Sequence, residues 1–133
     1  MRITLHCYGG SRGNPGPAGI GVVVTDESGE VIDEIGERIG DATNNVAEYK
    51  AVVRALERAS ELEVDAVDLV GDSELIAKQI TGQYRVKHVD MKPLHAQVTE
   101  LLRGFESWTI KTVPRADNSH ADRLVNEALD GTR

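Results

Sequence analysis

Cysteine is almost missing: Cys7 stands alone among 133 residues. A single thiol excludes an internal disulfide and a multi-cysteine zinc site, and it points to a reducing, cytoplasmic setting. No apolar run approaches the roughly 18 residues that would cross a bilayer, so no membrane partner is expected. Met1 to Leu5 holds one charged side chain and no long apolar stretch, so no secretory signal is expected. Positive charge is scarce: 15 Lys and Arg face 22 Asp and Glu, a net charge of −7. That balance argues against the broad basic surface of a high-affinity nucleic-acid binder. There is no basic tail, low-complexity tract or internal repeat. The glycine-rich stretch 9–19 is neither a Walker A loop nor a dinucleotide fingerprint, because it joins two strands and opens no helix. No Gly-x-Ser-x-Gly elbow is present. His6, His88, His95 and His120 lack the i, i+4 spacing of a helical zinc pair and read as surface or packing residues.

What remains is an ordinary soluble composition, 40% hydrophobic and 28% charged, at a length that suits one domain over 1–133. Ile3, Leu5 and Cys7 alternate with polar residues, the period of a strand. Ile20 to Thr25 is a β-branched run, and Val31 to Ile39 reads as a third strand, so the first three form an antiparallel meander. The period then changes: Tyr49, Val52, Val53, Leu56 and Ala59 mark a helix from Asn45 to Leu62. Val64 to Val70 reads as a strand, Asp72 to Ile80 and Met91 to Leu102 as helices, Trp108 to Val113 as a strand and Ser119 to Leu129 as a helix. The order β-β-β-α-β-α-α-β-α predicts an α/β fold, a mixed sheet with helices on its faces.

Three carboxylates sit where chemistry and capping compete. Asp72 lies just past the carboxyl end of a central strand, where open α/β sheets place ligands, and it could equally cap the next helix. Glu48 follows Asn45 by three residues, as in a capping box, yet it borders the buried face marked by Tyr49 and Val52. Asp122 fits a Ser-x-x-acid helix start from Ser119 or could enter a shared cleft. Together they would suit a hard divalent cation such as Mg²⁺ and two-metal phosphoryl chemistry.

Four blocks lie in order along nearly the whole chain: Gly9-Gly10-Ser11-Arg12-Gly13-Asn14-Pro15-Gly16-Pro17-Ala18-Gly19, Thr43-Asn44-Asn45-Val46-Ala47-Glu48, Gly71-Asp72-Ser73, and Asn118-Ser119-His120-Ala121-Asp122. In content and spacing they resemble type 1 ribonuclease H, most of all its short bacterial and archaeal members without the basic insertion of longer relatives. The resemblance implies a ribonuclease H-like fold: a five-stranded mixed sheet, first three strands antiparallel, with helices on both faces. It implies cleavage of the RNA strand of RNA–DNA hybrids by a site in which four carboxylates hold two Mg²⁺ or Mn²⁺ ions. Glu48, Asp72 and Asp122 match three of those carboxylates. Gly10, Ser11, Asn14, Thr43, Asn44, Asn45 and Asn118 match substrate-contacting or neighbouring positions. Backbone groups around Gly10 to Gly13, with Asn45 or Glu48, would lie near the RNA 2′-hydroxyl, which separates RNA from DNA. A monomer with no obligate protein partner is expected.

The departure is at Tyr8. In the family an Asp precedes Gly-Gly-Ser and bridges both metals, whereas a neutral phenol, with an ordinary pKa near 10, is a poor and bulky substitute. The resemblance therefore implies attenuated cleavage, with a nuclease-silent module for hybrid or double-stranded RNA as the alternative. Three readings of Tyr8 stand side by side: a chain turned binding module, a single-base change from an Asp codon, and another acid supplying the charge. Many members also carry a histidine before the last helix, and residues 113–118 hold none. There Arg115 could touch phosphate or be solvated. Arg12, Arg85, Lys87 and Lys92 could form a patch or be scattered.

Overall fold

Glycine decides how the first hairpin is built. The stretch 9–19 reads as a loop, yet most of it is strand: β1 (Arg2–Ser11) and β2 (Gly16–Thr25) stay paired through Gly9↔Ile20, Gly10↔Gly19 and Ser11↔Ala18. The glycines serve close approach rather than turning. A Cβ on Gly9 would stand 2.2 Å from the carbonyl carbon and oxygen of Ala47, and one on Gly21 would stand 2.2 Å from the Ala121 oxygen. Helices therefore lie directly against the strands at both points.

The computed structural model describes residues 1–132, and Arg133, the last residue of the expected 1–133 domain, lies outside the described residues. After the hairpin come β3 (Val31–Ala42), α1 (Asn44–Glu61), β4 (Ala66–Gly71), α2 (Glu74–Ile80), α3 (Lys92–Leu102), β5 (Ser107–Thr112), a 3-10 turn (Arg115–Asn118) and α4 (Ser119–Asp130). The strands form one five-stranded sheet in the order β3-β2-β1-β4-β5. The first three are antiparallel, and β4 runs parallel to β1 and β5. Strand alternation sorts the core into two layers. Ile3, Leu5, Cys7, Val22 and Val24 face α1 and α3, with Tyr49, Leu56 and Val98 packed on them. Tyr8 and Val23 point the other way, to Ala121, Leu124 and Val125 of α4. Helices on both faces of a mixed sheet agree with the expected fold.

The helix starts differ from the capping readings. Thr43, not Asn45, caps α1, its hydroxyl accepting from the Val46 N–H at 3.2 Å. Ser73, not Asp72, caps α2, accepting from the Ile76 N–H at 3.3 Å. At α4 the cap position is Asn118, with no side-chain cap bond, so Ser119 and Asp122 form no capping box. At α1 and α2 a neighbouring hydroxyl caps the helix end, and the carboxylate is spared that task.

Candidate active site

Parallel pairing of β1 with β4 brings the end of β1 beside the residues that follow β4. The start of α1 packs over the same edge, and a cleft of about 370 Å³ opens there, with Glu48, Asp72, Ser11, Asn44 and Asn45 in its lining. A larger groove, about 660 Å³, crosses Thr4, His6, Asp68 and Thr109 on β1, β4 and β5, and none of the predicted site residues reaches it.

Glu48 sits on the buried side of α1, only 8% exposed. The Gly9 N–H donates to its Oε1 at 3.3 Å, a contact that only the missing Gly9 side chain permits. Burial pushes its carboxyl up to about 8, and the nearby Asp72 pushes in the same direction. Asp72 is half-buried just past β4, and its carboxyl is also raised, chiefly by burial. Its Oδ1 is buried and has no hydrogen-bond partner. Two adjacent carboxyl groups, one with an orphaned buried oxygen, form a site short of positive charge, offset only in part by the Arg115 guanidinium.

Asp122 is not in that cleft. It lines a second one, of about 100 Å³, with Val125, Asn126 and Leu129 of α4. Tyr8, Arg115 and Ser11 line both clefts and so form the wall between them. Tyr8 is 8% exposed, its phenol pushed up chiefly by burial. The Arg115 guanidinium lies 5.0 Å from the Tyr8 ring centroid, a cation–π distance, and one of its nitrogens is 3.4 Å from Asp122 Oδ1. The 3-10 turn sets Arg115 there, and no periodicity in 113–118 could have announced it.

The polar residues matched by motif divide into two groups. Asn44 Oδ1 accepts from the Ser11 N–H at 2.8 Å, and Asn14 Oδ1 accepts from the Asn44 N–H at 2.9 Å. These residues thus tie the hairpin tip to the start of α1, and Ser11, Asn44 and Asn45 face the larger cleft. Gly10 lines the smaller one, while Thr43 acts as a cap. Asn118 is 3% exposed and donates from Nδ2 to the Cys7 carbonyl at 2.9 Å, so it anchors β1. The basic residues form no single patch: Arg12 pairs with Asp130 at 2.7 Å, while Arg85 and Lys92 line a separate cleft beside His95. His95 packs edge-on against Tyr49, with ring centroids 6.3 Å apart.

Glu48 and Asp72 fit one hard divalent cation, since both donate oxygen and one oxygen is left unsatisfied. Asp122 stands across the Tyr8–Arg115 wall and is already ion-paired. Among the described residues, no three His, Cys, Asp or Glu side chains gather to hold a metal.

Comparison with known proteins agrees with this architecture. The family model described as "Reverse transcriptase-like" matches residues 7–128. A ribonuclease HI of Halobacterium salinarum is 48% identical over 95% of this chain, which spans 64% of that relative's length. A bifunctional protein of Mycobacterium tuberculosis is 43% identical over 98% of this chain, which spans 36% of it. The crystal structure of RNase H1 from Halobacterium salinarum superposes with a TM-score of 0.96 at 46% identity, covering 98% of this chain and 99% of that one. LC11-RNase H1 in complex with RNA/DNA hybrid superposes with a TM-score of 0.93 at 44% identity, covering 97% of each chain. On a family match that spans most of its length, the chain belongs to the reverse transcriptase-like family of ribonuclease H-like proteins.

Proposed function

We propose that this chain is a ribonuclease H-type endonuclease that cleaves the RNA strand of RNA–DNA hybrids, with activity attenuated at Tyr8. The observation that carries the reading is the pairing of buried Glu48 with Asp72, whose Oδ1 has no partner, in a cleft edged by Ser11, Asn44 and Asn45. The relatives named ribonuclease HI and the RNase H1 bound to hybrid support the substrate class. Glu48 and Asp72 are the residues that would hold Mg²⁺ or Mn²⁺. When bound, such an ion supplies Lewis-acid polarisation of the scissile phosphate and an activated water.

The chain's own residues do the rest. Ser11, Asn44 and Asn45 present polar groups to the nucleic-acid backbone, and the Asn14–Asn44–Ser11 hydrogen bonds fix their geometry. Backbone groups of the glycine-rich tip can approach a ribose closely, and a 2′-hydroxyl is what they would read. Arg115 brings a guanidinium to the lining of the cleft and can meet a phosphate. Asn118 acts indirectly, fixing β1 next to Tyr8. We assign these roles to a single domain over 1–133, acting as a cytoplasmic monomer. Among the described residues, no helix is long and apolar enough to cross a membrane.

A labelled hybrid offered with Mg²⁺ or Mn²⁺ tests the reading. Slow RNA-strand cuts, absent with double-stranded DNA and absent in Glu48→Gln, are expected. The Tyr8–Arg115 wall favours the second reading, a nuclease-silent binder of hybrid or double-stranded RNA. Hybrid retention with no cutting under either ion selects that reading.

A further inference from the structure

Tyr8 and Arg115 meet carboxylates from both clefts. Of these two clefts Glu48 and Asp72 line the larger and Asp122 the smaller, and Ser11, Tyr8 and Arg115 line both. Three carboxylates around one phosphate need positive charge on each side of it. On the Glu48–Asp72 side, Asp72 Oδ1 is buried without any partner among the described residues. The built-in positive charge is the Arg115 guanidinium, bonded on the Asp122 side, 3.4 Å from Asp122 Oδ1 and 5.0 Å from the Tyr8 ring centroid, with a weaker pull on Asp72 and Glu48. Tyr8 cannot swing aside cheaply, since it clusters with Ala121, Leu124 and Val125 and is 8% exposed as a residue.

We infer that Arg115, seated on Tyr8 and paired with Asp122, takes the charge place of one of the family's two cations, so that this pocket binds one divalent ion, at Glu48 and Asp72. The inference rests on the nuclease reading above for its choice of ion. It makes Tyr8 and Arg115 a matched pair: the ring that fills the bridging position also carries the guanidinium that offsets Asp122. Arginine is suited to this, being always charged, weakly hydrated and able to lie flat on an aromatic face while bonding a carboxylate at its edge.

The test counts ions rather than cuts. Mn²⁺ is titrated into the folded chain at neutral pH, and the free ion is read by electron paramagnetic resonance. One equivalent is expected, lost in Glu48→Gln. Two variants open the wall from opposite sides. Tyr8→Asp removes the seat and adds a carboxylate, and Arg115→Ala removes the guanidinium without touching the sheet. A second equivalent in either, with circular dichroism unchanged, supports the inference. One equivalent in both overturns it. Two equivalents in the unaltered chain overturn it while leaving the nuclease reading intact, and none at millimolar Mn²⁺ overturns both.

Discussion

Replacing Glu48 by glutamine should stabilise the metal-free protein at high pH and leave it nearly unchanged at low pH. The buried carboxyl is raised from 4.5 to about 8, with burial as the main cause and Asp72 as the next. Between those values the folded chain holds a proton that the unfolded chain releases. Stability is therefore full below the lower value and falls as pH climbs through the window. Each pH unit in that window is worth about 1.4 kcal/mol, so ionising Glu48 costs the fold roughly 4 kcal/mol by pH 8. The glutamine amide has nearly the same shape and never ionises. Urea unfolding in EDTA, followed by the fluorescence of Trp108, the lone tryptophan, should place Glu48→Gln within about 1 kcal/mol of the parent at pH 5. At pH 8 it should be the more stable by about 2–4 kcal/mol. Adding Mg²⁺ at the higher pH should close the gap, since an ion at one hundred times its dissociation constant stabilises the parent by about 2.7 kcal/mol and has lost a ligand in the variant. An equal difference at both pH values would refute the account of a buried carboxylate short of compensating charge.

Two further outcomes test the packing that sets the site. Gly9→Ala forces a methyl to within 2.2 Å of the Ala47 backbone and should cost about 3 kcal/mol or more in urea unfolding, while Gly71→Ala, whose nearest atom lies at 3.6 Å, should stay within about 1 kcal/mol. Tyr49→Phe leaves the buried Gln79 Oε1 without the hydroxyl that donates to it at 2.6 Å and should cost about 1–3 kcal/mol, read as a lower thermal midpoint with unchanged circular dichroism.

Much of the fold was legible because apolar spacing carried it. The alternation of Ile3, Leu5 and Cys7 and the helical spacing of Tyr49, Val52 and Leu56 gave element types that the structure repeats. Boundaries failed where glycine was read as punctuation: Gly9 and Gly10 belong to a strand whose neighbour is a helix backbone, a contact that leaves no trace in local sequence. Caps failed for a related reason. Thr43 lies two positions before Asn45, and Ser73 one position after Asp72, and several polar residues in a row satisfy the same pattern. The meeting of Glu48 with Asp72 could be anticipated from motifs, though not from periodicity. The separation of Asp122 could not, because it depends on Arg115 in a short 3-10 turn that crosses the chain to reach Tyr8.

Cleavage of a labelled RNA–DNA hybrid by the unaltered chain and by Tyr8→Asp, side by side in Mg²⁺, tests the central claim most directly. If Tyr8 restrains the site, the variant should cut about 10²-fold faster or more, the scale on which one misplaced catalytic group is felt. Equal rates would contradict the claim and move the restraint from Tyr8 to some other residue.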